Sequence, residues 1–247
     1  MCAIIETHVH DSTISSICTS TFGRFQWVSN VGVSDHGARI ILAWDSNVMD
    51  VMVLEWHAQF LHCQILLRDG SLSFFLTIVY GANQGVDRRL LWSGLRKFRA
   101  INGPKPWVLM GDFNVMLFPH DALGNPDMIE FFDCISDIDV FDIRYSGIQH
   151  TWCQKPREEV GIRRKLDRVL ANTEFTDLCI DVSASFLPRG ISDHSPTLLS
   201  FPSLVHRRVS SFKFDNFLVE NDNFMQIVKQ VGVLRLKVLS CIVLCLV

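Results

Sequence analysis

Short runs of apolar residues, or of alternating apolar and polar residues, recur along the chain, each bounded by Gly, Asp, Asn or Pro. Runs of this length and pattern predict β-strands. The predicted strands are Cys2–Glu6, Phe25–Ser29, Ala38–Trp44, Val48–Trp56, Phe60–Leu67, Leu72–Tyr80, Trp107–Met110, His150–Cys153, Lys165–Leu170, Val182–Phe186 and Thr197–Phe201. Short polar turns such as Arg68-Asp69-Gly70 join the strands between Val48 and Tyr80, which predicts an antiparallel meander.

Helical periodicity is found in fewer places. Asp87–Ile101 carries an apolar stripe with basic residues between its members, which is the pattern of an amphipathic helix. The other predicted helices are Pro126–Ile138, Asn172–Cys179 and Phe217–Lys229. Many strands with few, well-separated helices predict an α+β fold in which two packed sheets are flanked by helices. The pattern argues against an all-helical protein and against a purely parallel α/β protein.

Composition and charge exclude several classes of protein. The 247 residues are 48% hydrophobic and 20% charged, which excludes a disordered tail, a collagen-like rod and a low-complexity linker. The net charge of −3 argues against a protein that coats polyanions, but it allows a local basic rim beside an enzyme site. The eight cysteines form no C-x-x-C pair, so we expect buried thiols in a reducing, intracellular compartment rather than a zinc site.

The pattern changes near Pro202, where this residue and the basic triplet His206-Arg207-Arg208 interrupt the strand signals. We therefore predict one domain over residues 1–203, followed over residues 204–247 by a linker and a hydrophobic tail whose pattern fits nothing in the domain. The apolar segment Val238–Val247 has about half of the roughly 20 residues that a membrane-spanning helix needs. Membrane association is therefore not expected, and a tail anchor is the alternative.

The segment Trp107–Asn114 gives the strongest local signal for chemistry. Its apolar strand ends in Gly111 and then presents Asp112 and Asn114, two residues apart. Alternate residues of an extended chain point the same way, so the carboxylate and the amide can face one site. The carboxylate can accept a proton from water, while the amide holds that water or a phosphate oxygen. The alternative is an Asp/Asn turn at a strand end, which is common.

A second signal is the Asp193-His194 pair, which precedes the strand predicted to begin at Thr197. A carboxylate suits a hard divalent cation, and an imidazole can donate to an oxygen of a phosphate under attack. The alternative is a surface turn closed by Ser195-Pro196. Asp167, in an alternating strand, either orients His194 as a buried acid does in a catalytic triad, or forms an exposed salt bridge with a neighbouring arginine.

Two further strands end in polar residues, one in Glu6 and the other in Tyr80 followed by Asn83. Each of these signals is weak alone, because polar residues are common at strand ends. Taken in chain order, however, five elements resemble the endonuclease/exonuclease/phosphatase family, which includes deoxyribonuclease I. These elements are Cys2–Glu6, Tyr80–Asn83, Gly111–Asn114, Lys165–Arg168 and Ser192–Pro196.

Finer features resemble the endonuclease domains of plant non-LTR retrotransposons. They are Arg88–Trp92, His150–Trp152, Arg164–Asn172 and Phe212–Phe217. The resemblance covers about residues 2–201 and implies a four-layer α/β/β/α sandwich of two mainly antiparallel sheets flanked by helices. It also implies a phosphodiester hydrolase, dependent on Mg²⁺ (or Mn²⁺), that nicks DNA. We expect the protein inside the cell, with the nucleus as the candidate compartment, and we expect no stable protein partner. A phosphatase of the same family and a catalytically inactive remnant are the alternatives.

The resemblance also implies which residues serve the metal and the water. Glu6 would bind the divalent metal, and Asp193 would complete the acidic cluster on the metal side. Asp112 would orient or deprotonate the attacking water, which Asn114 would hold. Clustered acids are costly without a cation, so the metal is part of the hypothesis.

At the phosphate, the resemblance implies a contact from His194, which Asp167 would support. Tyr80 and Asn83 would contact phosphate oxygens, and Thr151 would line the same mouth. A basic stretch nearby either follows a DNA backbone or forms a solvated loop. It consists of Lys155, Arg157, Arg163, Arg164, Lys165 and Arg168.

The first residues depart from the family pattern. Family members begin with a central strand that bears an Asn and precedes the Glu strand, whereas Glu6 lies five residues after Met1. We therefore expect an N-terminally truncated domain in which the first strand is missing. Unpaired strand edges would then lie in the middle of one sheet.

Overall fold

The computed structural model of the chain describes residues 1–33, 37–117, 125–154, 161–190, 192–201 and 241–246. These residues form fifteen strands and four helices. In chain order they are β1 (Cys2–Val9), α1 (Asp11–Phe22), β2 (Gln26–Ser29), β3 (Ala38–Trp44), β4 (Met49–His57), β5 (Phe60–Leu67), β6 (Ser73–Tyr80), α2 (Gly85–Asn102), β7 (Trp107–Asp112), α3 (Pro126–Ile138), β8 (Phe141–Asp142), β9 (Tyr145–Gly147), β10 (Trp152–Cys153), β11 (Arg163–Arg164), β12 (Asp167–Ala171), α4 (Thr173–Leu178), β13 (Ser183–Phe186), β14 (Thr197–Ser200) and β15 (Cys241–Leu246).

Two large sheets make up most of the fold. The six-stranded sheet has the order β4-β5-β6-β7-β12-β8, and the seven-stranded sheet has the order β2-β3-β1-β15-β14-β13-β9. Neighbouring strands are mostly antiparallel; in the six-stranded sheet the parallel pair is β6–β7, whose connection contains α2. The strands β10 and β11 form a separate hairpin.

The main core lies between the two sheets. Ile5 and Ile40 from the seven-stranded sheet and Leu76 and Met110 from the six-stranded sheet belong to it, and none has exposed surface. A second core lies between the six-stranded sheet and helices α2 and α3, and a smaller cluster lies between α1 and β3. The layers are therefore helices, sheet, sheet and helix, which confirms the predicted α+β sandwich.

Helix α1 is not predicted by the sequence pattern. Its residues are rich in Ser and Thr, which have low helix propensity, and Ile14 and Cys18 are its buried side chains. These two side chains lie one turn apart and pack against Ala38 and Ile41 of β3. Packing against the sheet, rather than local preference, therefore accounts for this helix.

The three other helices predicted over described residues begin and end within two residues of α2, α3 and α4. The helix predicted over Phe217–Lys229 lies outside the described residues. Among the described helices, none has both the length and the apolar content needed to cross a bilayer.

The segment 241–246 pairs with the domain instead of lying apart from it. Strand β15 runs parallel to β1, with Val243 opposite Cys2, and antiparallel to β14, with Cys241 opposite Ser200. The middle of the seven-stranded sheet is thus occupied at the place where the resemblance implies unpaired edges. An apolar strand can satisfy the backbone groups of both neighbours whichever part of the chain supplies it. The domain boundary at residue 203 stays a prediction.

Candidate active site

Three candidate residues form a row across the six-stranded sheet. Tyr80 at the end of β6 is the register partner of Asp112 at the end of β7, and Asp112 is the partner of Asp167 at the start of β12. Register partners on adjacent strands point to the same face of a sheet. The row shares its face with Met110 and Val169, which belong to the core between the sheets. The candidate site therefore begins where this core ends.

Glycines allow the backbone around Asp112 to pack closely. At Gly111 the φ angle is 145°, and a Cβ atom would lie 2.0 Å from the carbonyl oxygen of Val79. At Gly81 a Cβ atom would lie 2.6 Å from the carbonyl oxygen of Phe113. A side chain at either position would collide with the neighbouring backbone and push β6 and β7 apart. Close packing therefore requires the glycine before Asp112.

Asn114 is held next to Asp112 by its own backbone and by the loop after β6. Its φ angle is 53°, and its backbone N–H donates to Asp112 Oδ1 at 2.8 Å. Its side-chain Nδ2 donates to the carbonyl oxygen of Gly81 and to Asn83 Oδ1, each at 2.9 Å. The two predicted amides, Asn83 and Asn114, therefore lie in direct contact beside the carboxylate.

His194 reaches the row from the other sheet. Its Nδ1 donates to Asp167 Oδ2 at 2.9 Å, and its Nε2 lies 4.0 Å from Asp112 Oδ2. All three side chains are buried, and Asp167 Oδ1 has no hydrogen-bond partner among the described residues. Their donor atoms lie within 4.8 Å of one another, close enough for this group to hold a metal ion.

Burial and mutual charge shift the pKa values in this group. Burial alone would lower the pKa of His194, but the hydrogen bond and charge of Asp167, with further charge from Asp112 and Asp193, raise it to about 9. Burial and the charge of Asp167 raise the pKa of Asp112 to about 7, against the opposing effect of His194. At neutral pH the imidazole is therefore protonated, and the Asp112 carboxyl holds a proton more readily than an exposed carboxyl does.

Glu6 also faces the row from the seven-stranded sheet. It lies in an irregular part of β1 between Ile5 and Val9, with a φ angle of 61°. Its Oε1 accepts a hydrogen bond from Tyr80 Oη at 3.1 Å, and its side chain is 34% exposed. Burial, then the charge of Glu6, raises the pKa of Tyr80, so the phenol keeps its proton. Left-handed backbone at a residue other than glycine is costly and is often found at functional sites.

Asp193 and Thr151 lie beside this group but make other contacts. Asp193 Oδ2 accepts a hydrogen bond from Trp152 Nε1 at 2.9 Å, and Asp193 lies outside the group whose donor atoms converge. Thr151 has no exposed surface, and its Oγ1 accepts from the backbone N–H groups of Leu166 and Asp167 at 3.1 and 3.0 Å. This geometry favours a positioning role for Thr151, and its contact with phosphate stays a prediction.

Sequence reasoning missed two side chains at the site. Trp152 holds Asp193, as described above, and the guanidinium carbon of Arg39 lies 6.0 Å from the centre of the Tyr80 ring. Both residues lie in strands that the sequence pattern predicts. Their contacts depend on which strands become neighbours, and no local pattern encodes that information.

The predicted basic stretch is divided by the structure. Arg163 and Arg164 in β11 are exposed, and Arg164 lies over the Trp152 ring at 5.9 Å. Arg168 is 4% exposed and paired with Asp142, and Lys165 lies 3.3 Å from the centre of the Tyr145 ring. Lys155 and Arg157 lie outside the described residues. Within the described part, Arg163 and Arg164 are therefore the members of this stretch with exposed side chains.

Comparison with solved structures identifies the fold. The chain is similar to the endonuclease domain of TRAS1, a telomere-specific non-LTR retrotransposon, with a TM-score of 0.60 and 10% identity over 83% of this chain and 99% of that domain. It is also similar to beta toxin from Staphylococcus aureus, with a TM-score of 0.53 and 12% identity over 79% of this chain and 85% of the toxin chain.

A third similar structure is an endonuclease/exonuclease/phosphatase family protein from Bacteroides thetaiotaomicron, with a TM-score of 0.53 and 13% identity over 76% of this chain and 78% of that chain. No protein-family model and no curated protein sequence matches the chain. At these identities the shared property is the fold. The chain has the deoxyribonuclease I-like fold, which confirms the resemblance inferred from the motifs.

Proposed function

We propose that the protein is a metal-dependent phosphodiester hydrolase that nicks DNA, and that it acts as an endonuclease domain of the retrotransposon type. The observation that carries this proposal is the buried group of Asp112, Asp167 and His194 at the rim between the sheets, next to the Asn83–Asn114 amide pair. The fold shared with a retrotransposon endonuclease domain supports the same function.

The donor set at the site fits a hard divalent cation such as Mg²⁺ or Mn²⁺. Glu6 and Asp112 supply carboxylate oxygens, which these ions prefer, and both contribute to the negative charge around Tyr80. Asp167 Oδ1 is a buried acceptor without a partner among the described residues, and the pKa of Asp112 is raised, so a cation would relieve both costs. We assign Glu6 as the metal-binding carboxylate, and the same role for Asp193 stays a prediction. When bound, the ion would neutralise charge on the phosphate.

Asp112 and Asn114 are suited to handle the attacking water. Burial and the charge of Asp167 raise the pKa of Asp112, so its carboxylate accepts a proton more readily than an exposed carboxylate does. The Nδ2 group of Asn114 is committed to Gly81 and Asn83, which fixes the orientation of its amide beside Asp112. In our proposal Asp112 orients or deprotonates the water, and Asn114 holds it.

His194 is suited to donate to the phosphate. Its pKa of about 9 keeps the imidazole protonated at neutral pH. Asp167 accepts from Nδ1 and fixes the orientation of the ring, so Nε2 remains the donor toward the substrate. A donor aimed at the oxygen on which charge develops lowers the barrier to hydrolysis. In our proposal Tyr80 and Asn83 contact the other phosphate oxygens.

DNA is the proposed substrate because cationic and aromatic groups adjoin the site. The β10–β11 hairpin presents Arg163 and Arg164 to solvent, and it is joined to the site by the Trp152–His194 bridge and the Trp152–Asp193 hydrogen bond. Exposed arginines can follow a phosphate backbone, and the resulting affinity falls as salt is raised.

Nicking of a supercoiled plasmid tests the proposal. Wild-type protein should convert supercoiled to open-circular plasmid with Mg²⁺ and should fail to do so with EDTA. Asp112→Ala should lower the rate by about 10²–10⁴-fold, since it removes the base. Asp50→Ala is the matched control, because Asp50 is an exposed acid on β4 that pairs with Arg68.

Each alternative predicts a different result in the same assay. Nicking that persists unchanged in Asp112→Ala would contradict the assigned mechanism. Folded wild-type protein that hydrolyses neither plasmid DNA nor a phosphomonoester with Mg²⁺ would instead be a catalytically inactive remnant. Hydrolysis of phosphomonoesters or inositol phosphates, without nicking, would identify a phosphatase.

A further inference from the structure

The loop between β6 and α2 determines how the amide of Asn114 is oriented. Gly81 accepts one hydrogen bond from Asn114 Nδ2 and Asn83 accepts the other, each at 2.9 Å. A change in this loop would therefore turn or release the amide beside Asp112. The position of the loop is as important for the site as the identity of Asn114.

Arg88 holds this loop from inside the protein. The residue lies in the first turn of α2 and is 3% exposed. Its Nη1 donates to the carbonyl oxygens of Ala82 and Asn83, at 2.7 and 2.9 Å, so it binds two consecutive peptide units of the loop. A planar guanidinium with several donors in fixed directions is suited to such a contact, which a lysine would reproduce only in part.

A second helix fixes Arg88 in turn. Its Nη2 donates to Asp127 Oδ2 at 2.7 Å, and Asp127 lies at the start of α3, where its backbone N–H donates to Asn125 Oδ1. The start of α2 packs directly on this carboxylate, because a Cβ atom at Gly85 would lie 2.0 Å from Asp127 Oδ1. A continuous path of contacts therefore runs from α3 through Arg88 and the loop to the amide pair.

The adjacent arginine shows what a purely structural contact between these helices looks like. Arg89 also joins α2 to α3, through a hydrogen-bonded ion pair with Glu130 whose shortest distance is 2.7 Å. Its side chain is 63% exposed, and its hydrogen bonds within the described residues go to Glu130 rather than to the loop. Arg89 therefore only joins the two helices, whereas Arg88 joins them and also holds the loop.

We infer that Arg88 is a positioning residue for the reaction, acting through the loop on the Asn83–Asn114 amide pair. The inference rests on the proposed hydrolase function for its effect on rate. Its effect on the amides themselves does not depend on that function. Asp127 contributes indirectly, because its carboxylate holds the Arg88 guanidinium, which in turn holds the loop.

Arg88→Met and the matched control Arg89→Met test this inference in the full-length chain. Both variants lose one ion pair between α2 and α3. Arg88→Met should lower kcat for plasmid nicking by up to about 10²-fold with little change in KM, as expected when a catalytic group is misplaced by about 1 Å. Arg89→Met should keep the wild-type rate. Arg88→Lys should recover part of the loss and serves as the second variant if Arg88→Met does not fold.

A double-mutant cycle shows whether Arg88 acts through Asn114. Single-turnover nicking would be measured for Arg88→Met in the wild-type background and in the Asn114→Ala background. If the inference is correct, the second effect is much smaller than the first, because the amide is already gone. Equal effects in the two backgrounds would overturn it.

The amide signals give a readout that needs no activity. The side-chain NH₂ resonances of Asn83 and Asn114, assigned with single Ala variants, should shift in Arg88→Met and stay in place in Arg89→Met. Unchanged resonances in a folded Arg88→Met protein would overturn the inference. A protein that shows the shift but never nicks DNA would refute the proposed function alone.

Discussion

The two sheets contribute to the candidate site in different ways. In the six-stranded sheet, Tyr80, Asp112 and Asp167 are register partners on three adjacent strands, and helices α2 and α3 cover the opposite face. In the seven-stranded sheet, Glu6 lies in β1 and His194 lies just before β14, and β15 separates these two strands. One half of the site is therefore a row set by direct pairing, and the other half depends on an inserted strand.

Among the described residues, two hydrogen bonds between candidate side chains join the halves at the site itself. They are the hydrogen bond from His194 to Asp167, at 2.9 Å, and the one from Tyr80 to Glu6, at 3.1 Å. The six-stranded sheet supplies a row of side chains fixed by strand pairing. The seven-stranded sheet supplies Glu6 and His194, which reach across to that row. We expect substitutions in the first sheet to act mainly on chemistry, and changes around β15 to act first on stability.

Among the contacts between the two sheets, the one between His194 and Asp167 has the largest expected effect. His194→Ala removes the donor to the phosphate, and we expect the rate of plasmid nicking to fall by about 10²–10³-fold. Tyr80→Phe removes only the hydroxyl that donates to Glu6, so its loss should be smaller. Nicking rates at saturating DNA, with circular dichroism to check folding, would measure both. A loss below tenfold for His194→Ala would count against its role.

The difference between the sheets also explains what sequence reasoning could find. The row at Asp112 follows from local signals: an apolar strand, a glycine forced by close packing, and polar residues at the strand end. The pairing of His194 with Asp167 joins residues 27 apart in sequence, and the resemblance to a family rather than any spacing rule indicated it. The two-sheet architecture follows from the number and length of the predicted strands.

Other features depend on packing that no local pattern contains. Helix α1 has the composition of a poor helix and is stabilised by β3, so propensity points away from it. The place of β15 depends on which strand edges are left unpaired, and residue 241 lies far along the chain from the edges it covers. The loop contacts of Arg88 are equally invisible, because the motif around it predicts only an amphipathic helix.

Substitutions in β15 test most directly whether the stability of the seven-stranded sheet depends on this inserted strand. Val243 has a partner strand on each side, β1 through Cys2 and β14 through Leu198. Proline at this position loses a backbone hydrogen bond whichever neighbour the N–H faces, so Val243→Pro should lower the free energy of unfolding by about 3 kcal/mol. Val243→Ala keeps the N–H and is the control for loss of the side chain, so the proline variant should be less stable than the alanine variant. Equal urea midpoints for the proline variant and wild type would contradict the pairing.

Cross-linking tests the register of β15 without relying on stability. Ser200 lies opposite Cys241, so Ser200→Cys should form a disulfide with this native thiol under mild oxidation. Thr197 lies opposite Leu244, and Thr197→Cys is therefore the control that should give no such bond. Peptide mapping by mass spectrometry would identify the linked residues. Efficient linkage in the control variant instead would mean that the strand has another register.

The smallest expected effect concerns the helix-covered face of the six-stranded sheet. His62 of β5 is 1% exposed and hydrogen-bonded to Thr77, and its ring stacks on Phe98 with centroids 3.9 Å apart. Burial lowers its pKa from 6.5 to about 4. Between these pH values the unfolded chain binds a proton that the folded protein does not, so the free energy of unfolding falls as the pH falls.

The sign and size of this effect can be isolated with His62→Gln, which keeps a hydrogen-bonding side chain but does not titrate. Lowering the pH from 7.5 to 5.5 should cost the wild type about 1 kcal/mol more than the variant, and the difference should approach about 3 kcal/mol near pH 4. Urea unfolding at each pH, followed by tryptophan fluorescence, would measure it. Parallel pH profiles for the two proteins would show that His62 binds a proton as readily in the folded protein as in the unfolded chain, which would contradict the lowered pKa of this buried ring.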